Sequence, residues 1–429
     1  MLGRLVGGIA GGAVNEGVRQ FARGQRPGLN QLLLTESNAK RLADRLSEMR
    51  GAAMKVGQLL SMDGGHLLPR ELSGILDRLR SNAHAMPLGQ VAGVLEQAWG
   101  TGWEAQFERF FFTPVAAASI GQVHEALLKD GRRLAIKVQY PGIRQSIDSD
   151  VDNVASLLRL FRLLPDDLDI DTLLTEAKNQ LHAEADYRLE ASALQRFAAR
   201  LDDHPRFQTP TVIEGLNTED VLAMSYLEGV PIERLADAPR QQRDGVASAL
   251  LELALHEVFD WGLVQTDPNF ANYRFDERAG RIQLLDFGAT RAYPDARRAA
   301  LTRLMKACLD GSDDDVAAGA IAVGYLGEGD PARYRDGIVG LLRMATEPAR
   351  QTTPYRFTDT SLAQRMSDRV MQLRITDGYA RLPPIDILFL HRKLGGLYLL
   401  LSRLQANLPV RALVETHLGV TSPARAACG

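Results

Sequence analysis

Between residues 35 and 62 the apolar side chains Leu42, Leu46, Met49, Ala53, Val56 and Leu60 recur every three or four positions. That spacing predicts an amphipathic helix. Leu68-Pro69 interrupts it; a shorter helix is expected over 71–80 and another over 88–99, stopped by Gly100 and Gly102. The pattern then changes period. Residues 110–112 read as a strand ended by Thr113-Pro114, and 133–139 alternates, with Leu134, Ile136 and Val138 on one face and Ala135, Lys137 and Gln139 on the other. Gly131 marks the hairpin before it. Helices follow over 143–164 and 171–201, separated by Pro165-Asp166-Asp167, then short strands over 211–213 and 221–224 and a break at Gly229 and Pro231. A helix is expected over 241–261 and two short strands around Tyr273 and Leu284; from Pro294 onward the chain reads as helix. Strands first and helices afterwards predict an α+β protein of two lobes. The expected divisions are a glycine-rich terminus (1–34), a helical extension (35–104), a strand-bearing lobe with inserted helices (105–228) and a mainly helical lobe (229–429).

Composition changes this picture little. A hydrophobic share of 45%, a charged share of 24% and a net charge of −3 over 429 residues are those of an ordinary globular chain. They give no support to nucleic acid as a partner. Two distant cysteines, Cys308 and Cys428, make neither a disulfide framework nor a metal set. The apolar run at 5–14 is too short to span a bilayer. Gly3, Gly7 and Gly11 within it have the four-residue spacing of close-packed membrane helices, so a frayed tail and a peripheral membrane contact both stay open. The expected location is cytoplasmic, at most peripheral to the inner membrane.

The strongest chemical signal is Gln265-Thr266-Asp267-Pro268-Asn269-Phe270-Ala271-Asn272 followed by Leu284-Leu285-Asp286-Phe287-Gly288. An Asp with an Asn five residues on, then Asp-Phe-Gly after a short hairpin, matches the catalytic and magnesium loops of protein kinases. The residue types suit phosphoryl transfer. Asn272 and Asp286 offer hard oxygen ligands for Mg2+, and Asp267 can orient an acceptor oxygen or take its proton.

Lys137 supplies an independent line, because a lysine within an alternating apolar strand needs a partner for its ammonium group; ATP phosphates and a helix carboxylate are the expected ones. On one continuous helix over 171–201, Asp186 and Glu190 fall within about 40° of each other and Glu184 points about 120° away from Glu190. Asp186 and Glu190 are therefore rivals for Lys137; Glu190 is preferred for its longer reach. Met224 and Tyr226, where the 221–224 strand ends, complete the expected nucleotide-binding set with Ala116, Ala117, Ala118 and Ser119.

Departures from ordinary kinases are equally plain. Ala116-Ala117-Ala118-Ser119-Ile120-Gly121 stands where a glycine-rich loop is usual, no His-Arg precedes Asp267, and no Ala-Pro-Glu follows the Asp-Phe-Gly. Taken with Lys55-Val56-Gly57-Gln58, with Glu184-Ala185-Asp186-Tyr187 and with the Gln-Thr before Asp267, these features resemble the UbiB/AarF family of atypical kinase-like proteins, in its coenzyme-Q-associated branch. The resemblance runs from about Glu36 to Tyr398. It implies a protein-kinase-like fold whose helical extension packs across the active site. Lys55 and Gln58 are then the inward residues of that extension, with Lys55 meeting the acids at Glu184 and Asp186. It also implies Mg-ATP as cofactor, ATPase activity, and support of ubiquinone biosynthesis at a membrane, with a lipid or quinone precursor and quinone-biosynthesis proteins as partners. An ATPase or lipid-directed small-molecule kinase competes with a nucleotide-sensing scaffold. A conventional Ser/Thr kinase is disfavoured by the missing glycine loop, and an aminoglycoside-type kinase by the Lys55–Gln58 extension.

Overall fold

The computed structural model describes residues 46, 49–61, 85–160, 170–358, 361–379 and 381–419. The expected glycine-rich terminus, the helix over 71–80 and the turn at 165–167 lie outside the described residues. The chain divides into two compact units, one of residues 1–188 with 214–223, the other of 189–213 with 224–429.

In the first unit an antiparallel core of strands carries the site residues. Strand β1 (Phe107–Phe110) pairs with β3 (Gly121–Leu128), to which β2 (Ala116–Ala117) also pairs, and β3 pairs with β4 (Arg133–Gln139). A further strand, Val221–Ser225, completes the order beside β4. The strand expected at 110–112 thus sits earlier, over the residues where Phe107 can be buried among Trp99 and Trp103. The β3–β4 turn contains Gly131 at φ +85°, a conformation that favours glycine. Every β4 residue after Arg133 is buried, so the alternation marks two covered faces rather than one covered and one wet.

The helix Arg50–Ser61 packs against Ile143–Leu160 and Ile170–Glu184. Its apolar face supplies Ala53, Val56, Leu59 and Leu60, all nearly inaccessible. The expected continuous helix over 171–201 is instead two helices, Ile170–Glu184 and Tyr187–Arg200. The backbone groups freed at the break are satisfied from elsewhere. The Ala185 carbonyl accepts from Gln139 Nε2 (2.9 Å) and Arg144 Nη2 (2.6 Å), and the Tyr187 N–H donates to the Glu219 carbonyl (2.9 Å). Asp186 caps the second helix by accepting from the Arg188 N–H at 3.0 Å.

The second unit contains a four-stranded sheet in the order Phe207–Gln208, Arg281–Leu284, Tyr273–Asp276, Val230–Pro231 and a two-stranded ladder of Leu263–Gln265 with Thr290–Ala292. The strand expected over 211–213 shrinks to one bridge between Val212 and Met224. The helix expected over 241–261 is α-helical over Arg240–Leu255 and then widens into a π-helical turn, His256–Trp261. Helices from Asp295 onward bury a shared core that includes Leu301, Leu304, Val316, Ala320, Ile338 and Ile387. Among the described residues no helix is long and apolar enough to cross a membrane.

Candidate active site

In the second unit the antiparallel hairpin of Tyr273–Asp276 with Arg281–Leu284 sets Tyr273 opposite Leu284. The pairing runs on by one bond, the Leu285 N–H to the Asn272 carbonyl at 3.0 Å, which brings Asn272 beside the Asp286 segment. The loops on either side are tied together. Thr266 donates both its N–H (3.0 Å) and its hydroxyl (2.7 Å) to the Ala289 carbonyl, and Gln265 Nε2 donates to the Asp286 carbonyl at 3.3 Å. Asn269 accepts from the Ala271 N–H at 3.1 Å, closing the turn between Asp267 and Asn272.

Both oxygens of Asp267 are engaged. Asn272 Nδ2 donates to Oδ2 at 3.0 Å, and the Arg392 guanidinium pairs with Oδ1. Asp286 Oδ1 accepts from the Gly288 N–H at 3.0 Å. Phe287 is buried against Phe197 (ring centroids 5.0 Å apart), and its N–H lies 3.5 Å from Glu190 Oε1. Gly288 is packed beside the same Glu190: a Cβ there would stand 3.5 Å from its Oε2.

Beside the loop from Asp267 to Asn272 lies a buried ion pair that the sequence pattern did not single out. Lys393 Nζ is 2.9 Å from Glu257 Oε2 and 3.5 Å from the Tyr273 hydroxyl. Burial opposes the Lys393 charge, but the Glu257 carboxylate and Tyr273 outweigh it and hold the amine above its ordinary pKa. The helix Ile385–Arg403 that carries Arg392 and Lys393 also presses Gly396 against Pro268; a Cβ on Gly396 would fall 2.1 Å from Pro268 Cβ. The available signal was the Arg392-Lys393 pair inside an otherwise apolar stretch.

In the first unit Lys137 is buried on β4, opposite Val123, with Nζ 5.6 Å from the Tyr187 ring centroid. Glu184, at the end of its helix, pairs with Lys55 and accepts from the Ser119 hydroxyl at 3.1 Å. One carboxylate thereby joins the Arg50–Ser61 helix to the alanine-rich loop. Asp186 Oδ1 accepts the Arg188 N–H at its helix cap. Ala116, Ala117 and Ser119 are exposed and Ala118 half-buried, while Gln58 is half-buried on the face of Lys55. Gly121 closes the loop. A Cβ there would lie 2.3 Å from the Val138 carbonyl, so no larger residue fits without moving backbone. In the second unit Met224 is buried in its strand and Tyr226, just beyond, is half-buried.

The helix break changes how these acids are read. Relative angles of Glu184, Asp186 and Glu190 were expected from one continuous helix; with separate axes on either side of Ala185-Asp186, that reckoning does not apply.

Known proteins resemble the chain over most of its length. The model of the ABC1 atypical kinase-like domain matches residues 78–319. The chain is 34% identical over 407 residues to "Atypical kinase COQ8, mitochondrial" of Saccharomyces cerevisiae, covering 94% of this chain and 81% of the yeast protein. It is 35% identical over 416 residues to "Atypical kinase COQ8B, mitochondrial" of Rattus norvegicus, covering 96% and 78% respectively. Among solved structures, the Rv3197–erythromycin complex from Mycobacterium tuberculosis superposes with a TM-score of 0.62 at 29% identity, covering 90% of this chain and 97% of that one. The fold is kinase-like, with the adenine-nucleotide binding that such a fold implies, and the chain belongs to the ABC1 atypical kinase-like family.

Proposed function

We propose that this chain binds Mg-ATP and turns it over as an atypical kinase or ATPase directed at a small, lipid-like molecule, in support of coenzyme Q biosynthesis. The observation that carries the reading is the bonded hairpin end that brings Asn272 beside Asp286, with Asp267 held next to Asn272. An amide oxygen and a carboxylate are hard donors that fit a magnesium ion, so Asn272 and Asp286 would hold it. When bound, the ion supplies charge neutralisation for the phosphates. Lys137 would steady the α- and β-phosphates, with Glu190 as its partner; the alanine-rich loop, Met224 and Tyr226 would line the nucleotide. Asp267 would position the acceptor oxygen, since Arg392 and Asn272 fix the orientation of its carboxylate. The direction toward a quinone precursor rests on the names of the COQ8 relatives, and their mitochondrial setting is consistent with work at a membrane surface.

A second reading, a nucleotide-sensing scaffold, draws on the engagement of both Asp267 oxygens and on the pairing of Lys55 with Glu184. The two are separated by Asp267→Asn, measured for ATP affinity and for turnover with and without liposomes containing a quinone-precursor mimic. The enzyme reading expects affinity kept, turnover reduced on the order of 100-fold or more, and stimulation of the wild type by the mimic. Turnover unchanged by the substitution contradicts it and favours the scaffold.

A further inference from the structure

Away from the candidate active site, two imidazoles converge on one carboxylate. His256 opens the π-helical turn His256–Trp261, Asp260 follows one turn later, and His417 ends the helix Val410–His417. Asp260 Oδ2 lies 2.6 Å from His256 Nδ1 and 2.9 Å from His417 Nδ1, and one ligand atom from each residue falls within 4.8 Å of the others. The rings are set edge to face, centroids 4.4 Å apart at 88°, so their Nδ1 atoms reach the carboxylate from different directions. The Trp261 indole is stacked on His256 at 5.5 Å and 15°, constraining the imidazole plane.

Among the described residues the nearby arginines have other partners, Arg200 lying over the Trp261 ring. Arg298 donates to the main-chain carbonyls of Asp260 (2.8 Å) and Phe259 (3.3 Å) and pairs with Asp295. Arg206 pairs with Glu252. Among the described residues the ion-pair partners of the Asp260 carboxylate are imidazoles rather than a permanent cation. Two imidazole nitrogens and a carboxylate oxygen are the donor set of zinc-class ions, and three protein ligands leave a fourth position open. Around a tetrahedral ion such atoms stand about 3.3 Å apart, so the two Nδ1–Oδ2 distances, 2.6 and 2.9 Å, would lengthen by about 0.7 and 0.4 Å.

We propose that His256, Asp260 and His417 bind a single zinc-class divalent ion that pins the helix Val410–His417 to the turn preceding the strand Leu263–Gln265. The ion ties the last described helix to the segment that leads into Asp267, and it is separate from the magnesium ligands Asn272 and Asp286.

The test uses the full chain, stripped with chelator and held in excess Mg2+, and titrated with Zn2+ by calorimetry and with Co2+ by visible absorption. One equivalent of zinc, cobalt bands of a nitrogen-ligated site and quenching of Trp261 emission are expected, with affinity about 100-fold or more weaker in His256→Gln, His417→Gln and Asp260→Asn. A zinc-induced rise in unfolding temperature, lost in each variant, supports the same assignment. No stoichiometric zinc, cobalt without such bands in the wild-type chain, or equal affinity in folded variants overturns it.

Discussion

Two adjacent glycines in the helix Ile385–Arg403 offer a matched pair of perturbations. A Cβ on Gly395 meets nothing within 4 Å, whereas a Cβ on Gly396 would lie 2.1 Å from Pro268 Cβ and 2.4 Å from its Cγ. Both substitutions to alanine gain about 1 kcal/mol of helix propensity. Gly395→Ala should keep that gain. Gly396→Ala must push carbons apart by about 1.4 Å to reach an ordinary contact distance, and overpacking of this kind costs about 1–3 kcal/mol. Pro268 is rigid and directly follows Asp267, so the displacement passes into the backbone that carries Asp267 rather than into a flexible side chain. A misplacement of about 1 Å can lower turnover on the order of 100-fold. Urea unfolding and ATP turnover, run side by side, should show Gly395→Ala at or above wild type in both and Gly396→Ala lower in both. Equal stability and equal turnover for the two variants would refute the idea that this helix sets the position of Asp267.

Two more expectations concern the same helix. Lys393→Met leaves the buried Glu257 carboxylate uncompensated and should destabilise the chain by about 3–5 kcal/mol, with part recovered in the double variant Lys393→Met, Glu257→Gln; a loss below about 1 kcal/mol by urea unfolding would contradict the pairing. His391 keeps some surface as a residue, but its ring lies flat on Tyr325 with Nε2 2.5 Å from the Tyr325 hydroxyl, and burial pushes its pKa down to about 4. Because the folded state holds this proton less tightly than the unfolded one, stability from it is complete above about pH 6.5 and is lost as pH falls toward 4, on the order of 2–3 kcal/mol. His391→Phe should flatten that part of the stability profile, and an unchanged profile would remove His391 as its source.

The parts of the site that local spacing determines were legible in the chain. Asn272 and Asp286 flank one short hairpin, with Asp267 five residues before Asn272, and a hairpin's register follows from its own residues, so their association could be read from the five-residue interval and the strands after it. Lys137 stood out because a charge interrupts an apolar alternation. What could not be read depends on distant groups. The break at Ala185-Asp186 is held by Gln139, Arg144 and Glu219, none of them near in sequence, while the local pattern favours an unbroken helix. The engagement of Asp267 by Arg392 spans more than a hundred residues. The π-helical turn His256–Trp261 itself contains no glycine or proline to announce the change from the α-helix before it.

The most direct measurement of the central claim is calorimetric titration of ATP into the wild-type chain and into Asp286→Asn, each with and without Mg2+. Asn272 and Asp286 as the metal-holding pair predict that Mg2+ tightens ATP binding at least about tenfold in the wild type and has almost no effect in the variant. An equal gain from Mg2+ in both proteins would contradict it.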